Sequence, residues 1–474
     1  MPVGNTARMY NPSKLAEVRA WTRYFNVARL ASFVGILCVP FSLWALFWTS
    51  PRDYPFLSSM LFVPLLTYGC VIMFSRFWRR DPFLKLLFGA GIALRLAAAA
   101  AYVWTGFVIY LQSVDAFHYW DVGLRRAQEF SSVGWSAFTP PYWSTNLIFN
   151  ICGIITLLTG NALPTLFVLF ALAALWGGYF FYRAFCIAFP LGNRGLYGLL
   201  VVLLPSILYW SSAIGKDALA QLTIGLSAYG YARMTRKLDA RAILICVIGV
   251  AGVAAARAHI AAMLAIAMLL SFSLGKTAGG WMTMAAKILL IPILAAGTVY
   301  MIGQAESFVG MAGSDFQSGM NIISKQTKGT EIGGSAFGGR QSLPMRLVEG
   351  PFLVFRPFAW EAHNFMSALA ALEGLGLFLL AWRRRRAFWA VVRHWRDPYV
   401  GFALAFAVQF CVIFAVATSN FGILVRMRIM VLPVLLMLFC AKLPTVGVAE
   451  SPFERQASWF RSRVPTHQLD QSTR

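Results

Sequence analysis

Charged residues are scarce in this chain. They make up 12% of its 474 residues, against roughly 25% in a typical soluble domain. Apolar residue types reach 59%, and the mean hydropathy is +0.65. This composition excludes a water-soluble globule, because too few polar side chains are present to cover the surface of one. We therefore expect lipid to surround most of the chain.

The chain also lacks paired-cysteine motifs and has few acidic residues. None of the seven cysteines stands in a CxxC or Cys/His spacing, so neither a disulfide framework nor a zinc site is indicated. We predict no metal site and no cofactor, although the sequence is compatible with a divalent metal. Only 18 acidic residues face 41 basic ones, for a formal charge of +23. Because the basic residues cluster at the ends of apolar segments, they favour a membrane surface over nucleic acid as their partner.

Long apolar runs recur from Leu30 to Leu443. In lipid every backbone polar group must be satisfied within the protein, which favours helices, so we expect an all-α polytopic integral membrane protein. The segment from Asn146 to Gly160 is apolar but short, and we interpret it as re-entrant or interfacial. Hydropathy predicts twelve spans. They cover residues 30–48, 56–74, 84–110, 163–182, 196–214, 218–232, 243–256, 260–274, 281–302, 366–382, 402–418 and 429–443.

The basic clusters predict the orientation. With twelve spans, the clusters at 76–80, 233–237 and 383–386 share the side of the N-terminus, so both termini are expected in the cytoplasm. The first 29 residues show no short apolar core with a cleavage site, so the first span is expected to stay uncleaved. The predicted organisation is a cytoplasmic segment 1–29, a membrane domain 30–447 with outer loops 111–162 and 303–365, and a cytoplasmic tail 448–474.

Polar, irregular segments of the chain are thereby collected on the outer face. The first is Asp115-Ala-Phe-His118-Tyr-Trp-Asp121, directly after the third span. Its carboxylates and imidazole suit general acid–base chemistry, and its aromatic rings suit stacking on a sugar. The same composition is also typical of an aromatic belt with solvated acids. Asp115, His118 and Asp121 are the candidate catalytic residues.

Two further outer turns carry cations. Lys216 and Asp217 lie where one span ends and the next begins. A lysine at a helix start opposes the macrodipole, so either a phosphate partner or a local pair with Asp217 accounts for it. Arg257 and His259 interrupt an apolar stretch, either as functional ionisable residues or as an interfacial turn with a snorkelling arginine.

Arginines also mark the last two outer segments. Arg356 precedes Glu361 in an Arg-Pro-Phe-Ala-Trp-Glu segment, where its guanidinium group suits bidentate phosphate binding or, alternatively, a structural ion pair with Glu361. Arg426 and Arg428 lie at the outer mouth of the final span, against the positive-inside rule unless they meet an anion. Together these segments predict a phosphate or pyrophosphate group held at the membrane surface.

In the order and character of these segments the chain resembles the GT-C superfamily, the multispanning bacterial glycosyltransferases that use polyprenyl-phosphate-linked sugars, and the related exopolysaccharide and O-antigen polymerases. The resemblance covers about Asp115 to Pro433. It rests on the acidic motif, the Pro-Ser-x-x-x-Trp-Ser-Ser-x-x-x-Lys-Asp turn, the Arg-Pro-Phe-x-Trp-Glu segment and the closing Asn-x-Gly-x-x-x-Arg-x-Arg.

This resemblance implies a function. The chain would be a membrane glycosyltransferase or repeat-unit polymerase that transfers sugar from a polyprenyl-(pyro)phosphate-linked sugar or oligosaccharide to a glycan acceptor. The reaction would take place at the outer face of the bacterial cytoplasmic membrane, among membrane lipids. Asp115 would be the base and Asp121 the second choice, with the basic residues binding the lipid phosphate. The chain lacks the tandem acidic pair that is common there, and polymerase-like relatives work without metal through arginines and a histidine.

A transporter or flippase of lipid-linked glycans is the alternative from another class. Transporters commonly show two related halves and sites at the bilayer midplane. We find no similarity between the halves of this chain, but Arg95 lies within the third predicted span and would be the transporter's best residue. A non-catalytic assembly subunit is the third interpretation.

Overall fold

The computed structural model describes residues 12–48, 55–78, 81–111, 113–138, 143–275, 343–418 and 420–443. The predicted span 281–302, most of the predicted loop 303–365 and the tail 448–474 lie outside these residues. The described ranges contain α-helices and short 3-10 helices but no β-strand, which confirms the predicted all-α class. The α-helices are α1 (Pro12–Trp48), α2 (Pro55–Trp78), α3 (Pro82–Val108), α4 (Asp115–Val133), α5 (Thr145–Thr159), α6 (Leu163–Ala188), α7 (Arg194–Leu203), α8 (Pro205–Trp210), α9 (Lys216–Arg236), α10 (Ala240–Ala256), α11 (Ala258–Leu274), α12 (Leu343–Glu349), α13 (Phe365–Val392), α14 (Pro398–Ala417), α15 (Phe421–Arg428) and α16 (Leu432–Cys440).

Six of these helices are long and apolar enough to cross a membrane: α1, α2, α3, α6, α13 and α14. The pair α15 and α16 is bent by 59° and makes a seventh if it forms one span. The helices α5, α7, α10 and α11 are apolar but contain only 10 to 17 residues. The structure therefore supports a protein with several membrane helices, and only part of the twelve-span prediction.

The predicted span 196–214 needs correction, because it is not one continuous helix. Helix α7 ends at Leu203, Leu204 is extended, and the six-residue α8 starts at Pro205. Proline has no N–H to continue the hydrogen-bond ladder, and it disfavours helical geometry in the residue before it. The chain then turns through residues 211–215 into α9. The apolar segment 196–214 thus consists of two short helices and the turn that precedes α9.

The backbones of helices α6 and α9 approach each other closely. A Cβ atom on Gly177 of α6 would lie 2.3 Å from the carbonyl oxygen of Gln221, and one on Gly225 of α9 would lie 2.4 Å from that of Gly177. Such close backbone approach is the use that membrane helices make of glycine. At the far end of both helices, Arg236 donates to the carbonyl of Ala188 at 2.6 Å. The two helices therefore run parallel, and their N-terminal ends lie at the same end of the bundle.

Candidate functional site

An ion-pair chain joins four segments that are distant in sequence. Arg426 donates from Nη1 to Oδ2 of Asp115 at 2.6 Å and from Nε to Oδ2 of Asp217. Arg257 donates from Nη2 to Oδ1 of Asp217 at 2.5 Å. We call Asp115, Lys216, Asp217, Arg257 and Arg426 the Asp217 cluster. Four of the segments predicted to meet on one face thus do meet.

Local structure explains how the two carboxylates reach this position. Asp115 is the first residue of α4 and Asp217 the second residue of α9, where the helix dipole favours negative charge. Gly215, just before α9, has a φ of +151°, and a Cβ atom there would lie 3.1 Å from the ring of Tyr119. Glycine is therefore suited to this turn both by conformation and by space. Arg257 is the single non-helical residue between α10 and α11.

The carboxylate of Asp217 is buried between the two guanidinium groups, and Asp217 as a whole is only 4% exposed. Burial alone would raise its pKa, but the charges of Arg257 and Arg426 outweigh burial and hold the pKa below its ordinary value. Asp217 is therefore ionised at neutral pH. Its single negative charge balances one of the two positive charges of Arg257 and Arg426, and its two oxygens fix the positions of both guanidinium groups.

Lys216 and His259 complete the electrostatics of this region. Lys216 donates from Nζ to the Ser144 hydroxyl at 3.1 Å, and burial, followed by repulsion from Arg257, lowers its pKa. Burial and the charges of Arg257 and Lys216 lower the pKa of His259 to about 4, so this imidazole is neutral at pH 7. The Asp217 cluster then contains three cations and two carboxylates, an excess of one positive charge.

Asp115 is the most accessible charge of the cluster. Its side chain is 56% exposed, whereas that of Arg426 is 20% exposed. Of the other two candidate catalytic residues, Asp121 pairs with Arg125 on the surface of α4 at 2.5 Å. The ring of His118 packs edge-on against Phe149 with centroids 5.4 Å apart. Among the three predicted catalytic residues, only Asp115 joins the cluster.

Arg428 lies in a second, internal cluster. It is fully buried, and it donates from Nη2 to Oε1 of Glu373 at 2.8 Å and from Nη1 to the carbonyl oxygen of Arg356 at 2.7 Å. The other oxygen of Glu373 accepts from the backbone N–H of Ser206 at 2.6 Å. Arg428 thus ties together α15, α13 and the start of α8.

Arg356 is buried beside it and held by two acids. It donates to both oxygens of Glu361 and, from Nη1, to Glu349 at 2.7 Å. Glu361 also accepts from the backbone N–H of Phe358 at 2.8 Å. This arrangement favours the structural ion pair that the sequence left open. The structure does not bring Arg356, Glu361 or Arg428 into the Asp217 cluster, because Arg356 pairs with Glu349 and Glu361 and Arg428 pairs with Glu373.

Arg95, the residue on which the transporter alternative rests, has a buried guanidinium group with few hydrogen-bond partners. Arg95 is fully buried in α3 and donates from Nη1 to the hydroxyl of Ser211 at 2.8 Å. Its Nε and Nη2 atoms have no hydrogen-bond partner among the described residues. The Ser211 turn leads directly into Lys216, so Arg95 supports the segment that carries part of the Asp217 cluster.

Glu349 and Glu373, which hold the internal cluster, were missed as partners of the arginines. The available signal was weak: Glu373 is an acid in an apolar helix, where an ionisable residue indicates a buried partner.

Within the described part of the chain, no group of three or more His, Cys, Asp or Glu residues lies close enough to hold a metal ion. Comparisons with protein-family models, curated proteins and solved structures found no match to this chain.

Proposed function

We propose that this protein is a membrane glycosyltransferase or polysaccharide repeat-unit polymerase with a GT-C-like fold. It would transfer sugar from a polyprenyl-(pyro)phosphate-linked donor to a glycan acceptor at the outer face of the bacterial cytoplasmic membrane. One observation carries the proposal: the accessible carboxylate of Asp115 is paired with Arg426 in a cluster that has an excess of positive charge. A base and an anion-binding group thus stand side by side.

The proposed chemistry needs both groups. The acceptor hydroxyl loses its proton to Asp115, its oxygen bonds to the anomeric carbon, and the bond from that carbon to the phosphate oxygen breaks. The electron pair of the broken bond stays on the phosphate, whose growing negative charge Arg426, Lys216 and Arg257 stabilise. Arg426 exchanges the bond from its Nη1 to Asp115 for a bond to the phosphate, while its Nε stays bonded to Asp217 and the guanidinium group keeps its place.

Asp217 has a separate role in this scheme as a positioning residue. Its buried carboxylate bonds Arg257 and Arg426 at the same time. The two guanidinium groups are therefore held in place before the donor binds, and preorganised charge of this kind is more effective than charge that must reorient during the reaction.

The proposed topology has twelve spans, both termini in the cytoplasm and the Asp217 cluster outside. Helix α9 is less apolar than the six candidate membrane helices but packs parallel to one of them, α6, and its ends support this topology, since Asp217 lies at one end and Arg236 at the other. They are nineteen residues apart, which corresponds to about 28 Å at 1.5 Å per residue, close to the thickness of a bilayer core. The basic end of α9 would then face the cytoplasm, as the positive-inside rule requires.

A transfer assay with purified protein tests the proposal. Wild-type protein, given a polyprenyl-linked donor and an acceptor in detergent, is expected to form a glycosidic bond with no second protein present. Asp115→Asn should abolish the product without reducing the amount of folded protein. Glu129→Gln is the matched control, because Glu129 is a half-exposed carboxylate on the same helix, paired at 2.8 Å with Arg126. Full activity in Asp115→Asn would remove Asp115 from the role of base.

The transporter or flippase remains the second candidate, favoured by the buried guanidinium of Arg95 within α3. The same assay separates the two functions. A transporter would form no glycosidic bond with donors that cover the host's own repeat unit, and in liposomes it would move the lipid-linked glycan between leaflets. Arg95→Gln should then slow that movement.

A further inference from the structure

A cleft of about 400 Å³ opens between α2, α6 and α9, away from the Asp217 cluster. This volume is in the range of pockets that hold small ligands. Its walls are formed by Trp176, Tyr179 and Phe180 of α6 and Tyr229 of α9, and Arg76 and Arg183 line it as well. We call it the Arg183 cleft.

The aromatic walls of the cleft are fixed by packing. The ring of Trp176 stacks on Phe74 of α2 with centroids 4.2 Å apart, and Tyr179 meets the same Phe74 ring edge-on at 5.6 Å. Phe180 packs against Tyr229 of α9 at 5.8 Å. Three helices thus contribute rings that hold one another, so the shape of the cleft is set by the core of the bundle.

The mouth of the cleft carries positive charge. Arg76 is exposed, and Arg183 is half-buried with its guanidinium group 5.9 Å above the ring of Tyr179, whose hydroxyl it contacts at 3.2 Å. No carboxylate in the described part of the chain forms an ion pair with either arginine. Asp239, which follows α9 in the chain, pairs with Arg233 at 3.2 Å. The residues lining the cleft therefore bring two positive charges and no negative one.

The cleft also opens onto an apolar surface. Met73, on its rim, is 53% exposed, and it continues a row of exposed apolar side chains along α2. These are Met60, Leu61, Leu65, Tyr68 and Ile72. Because α2 is one of the candidate membrane helices, this row is suited to contact acyl chains, with Arg76 in the last turn of α2 and Arg183 across the cleft on α6.

We propose that the Arg183 cleft binds the phosphate headgroup of an anionic phospholipid. Arg76 and Arg183 would contact the phosphate, the aromatic rings would pack against the glycerol backbone, and the acyl chains would run along α2. Basic pockets between membrane helices are suited to anionic headgroups, and arginine makes forked hydrogen bonds to phosphate oxygens. This site is independent of sugar transfer, since it shares no residue with the Asp217 cluster.

Lipid binding to the full-length protein tests the site. Purified protein in detergent is titrated with phosphatidylglycerol, with phosphatidylcholine of the same acyl chains and with inorganic phosphate, and bound lipid is counted by native mass spectrometry. Phosphatidylglycerol should bind more tightly than phosphatidylcholine. The double variant Arg76→Gln/Arg183→Gln should weaken phosphatidylglycerol binding by about 30-fold, since each arginine near an anionic headgroup contributes roughly fivefold.

A matched control removes two charges from the same end of the bundle but outside the cleft. Arg194→Gln/Arg241→Gln, at the starts of α7 and α10, should change binding less than about threefold. If the double variant does not fold, the single variant Arg76→Gln replaces it, because Arg76 is exposed. This single variant should weaken phosphatidylglycerol binding roughly fivefold.

Three outcomes would overturn the proposal. Equal affinity for phosphatidylcholine and phosphatidylglycerol would show that headgroup charge is not recognised. Wild-type affinity in the double variant, or an equal loss in the control, would place the bound lipid elsewhere. Displacement of phosphatidylglycerol by inorganic phosphate at equal concentration would make the cleft a site for free phosphate.

Discussion

Replacing Asp217 by asparagine would test the electrostatic basis of the Asp217 cluster. The substitution preserves the shape of the side chain but removes the one buried negative charge that Arg257 and Arg426 share. The cluster would change from an excess of one positive charge to an excess of two. Neither arginine can escape easily to water, because the side chains of Arg257 and Arg426 are only 8% and 20% exposed.

The size of the effect follows from burial. Removing one partner of a buried ion pair costs about 3 to 5 kcal/mol, because an uncompensated charge stays inside the protein. A surface pair is worth only about 0 to 1 kcal/mol. Asp121→Asn is the matched control, since Asp121 pairs with Arg125 at 2.5 Å while both side chains are more than half exposed.

The free energy of unfolding can be measured for both variants in mixed micelles titrated with a denaturing detergent. We expect Asp217→Asn to lose several times more stability than Asp121→Asn. The double variant Asp217→Asn/Arg257→Gln should recover part of the loss, because it also removes one of the uncompensated cations. Equal, small losses in Asp217→Asn and Asp121→Asn would refute the buried-charge explanation of the cluster.

Three further predictions concern stability. Burial lowers the pKa of His259 from 6.5 to about 4, so the unfolded chain takes up a proton there before the folded protein does, and stability falls as the pH drops from about 6.5 toward 4. Melting temperatures measured from pH 7 to pH 4 should show this fall, and His259→Gln should make the melting temperature less dependent on pH. Gly177→Ala should cost about 1 to 3 kcal/mol by pushing α6 from α9, whereas Gly376→Ala, with nothing within 4 Å of the added Cβ, should gain up to about 1 kcal/mol in the same unfolding assay. Glu373→Gln should cost about 3 to 5 kcal/mol by leaving Arg428 buried without its carboxylate, and no loss of stability would contradict that assignment.

Helical class and most long helices could be predicted from hydropathy alone. Helices such as α3, α6 and α14 consist of apolar residues with few interruptions, and a bilayer imposes local satisfaction of the backbone on any such segment. The break at Pro205 was missed, although proline is the usual cause of a helix break. Hydropathy averages over a window, so it merges α7, α8 and the following turn into one apolar segment.

The sequence indicated which segments contribute to the site, but not which side chains pair with one another. Asp115, Asp217, Arg257 and Arg426 are ionisable residues beside apolar runs, which is a signal that one sequence contains. Their pairing spans up to 311 residues, and no local pattern encodes it. Burial was not predictable either, since the sequence near Arg356 shows two possible acidic partners, Glu349 and Glu361, but gives no sign that the guanidinium group is enclosed.

Helix geometry explains why the two closing arginines have different roles. Residues of an α-helix are about 100° apart around its axis, so two positions separated by one residue point about 200° apart, to opposite sides. Arg426 on α15 accordingly reaches the partly exposed Asp115 and the start of α9, whereas Arg428 reaches Glu373 of α13 and is fully buried. The Arg-x-Arg spacing that resembles a paired phosphate clamp in sequence therefore sends its two cations in opposite directions when the segment is helical. Only Arg426 then faces the accessible cluster, which is why the proposed phosphate site includes Arg426 and not Arg428.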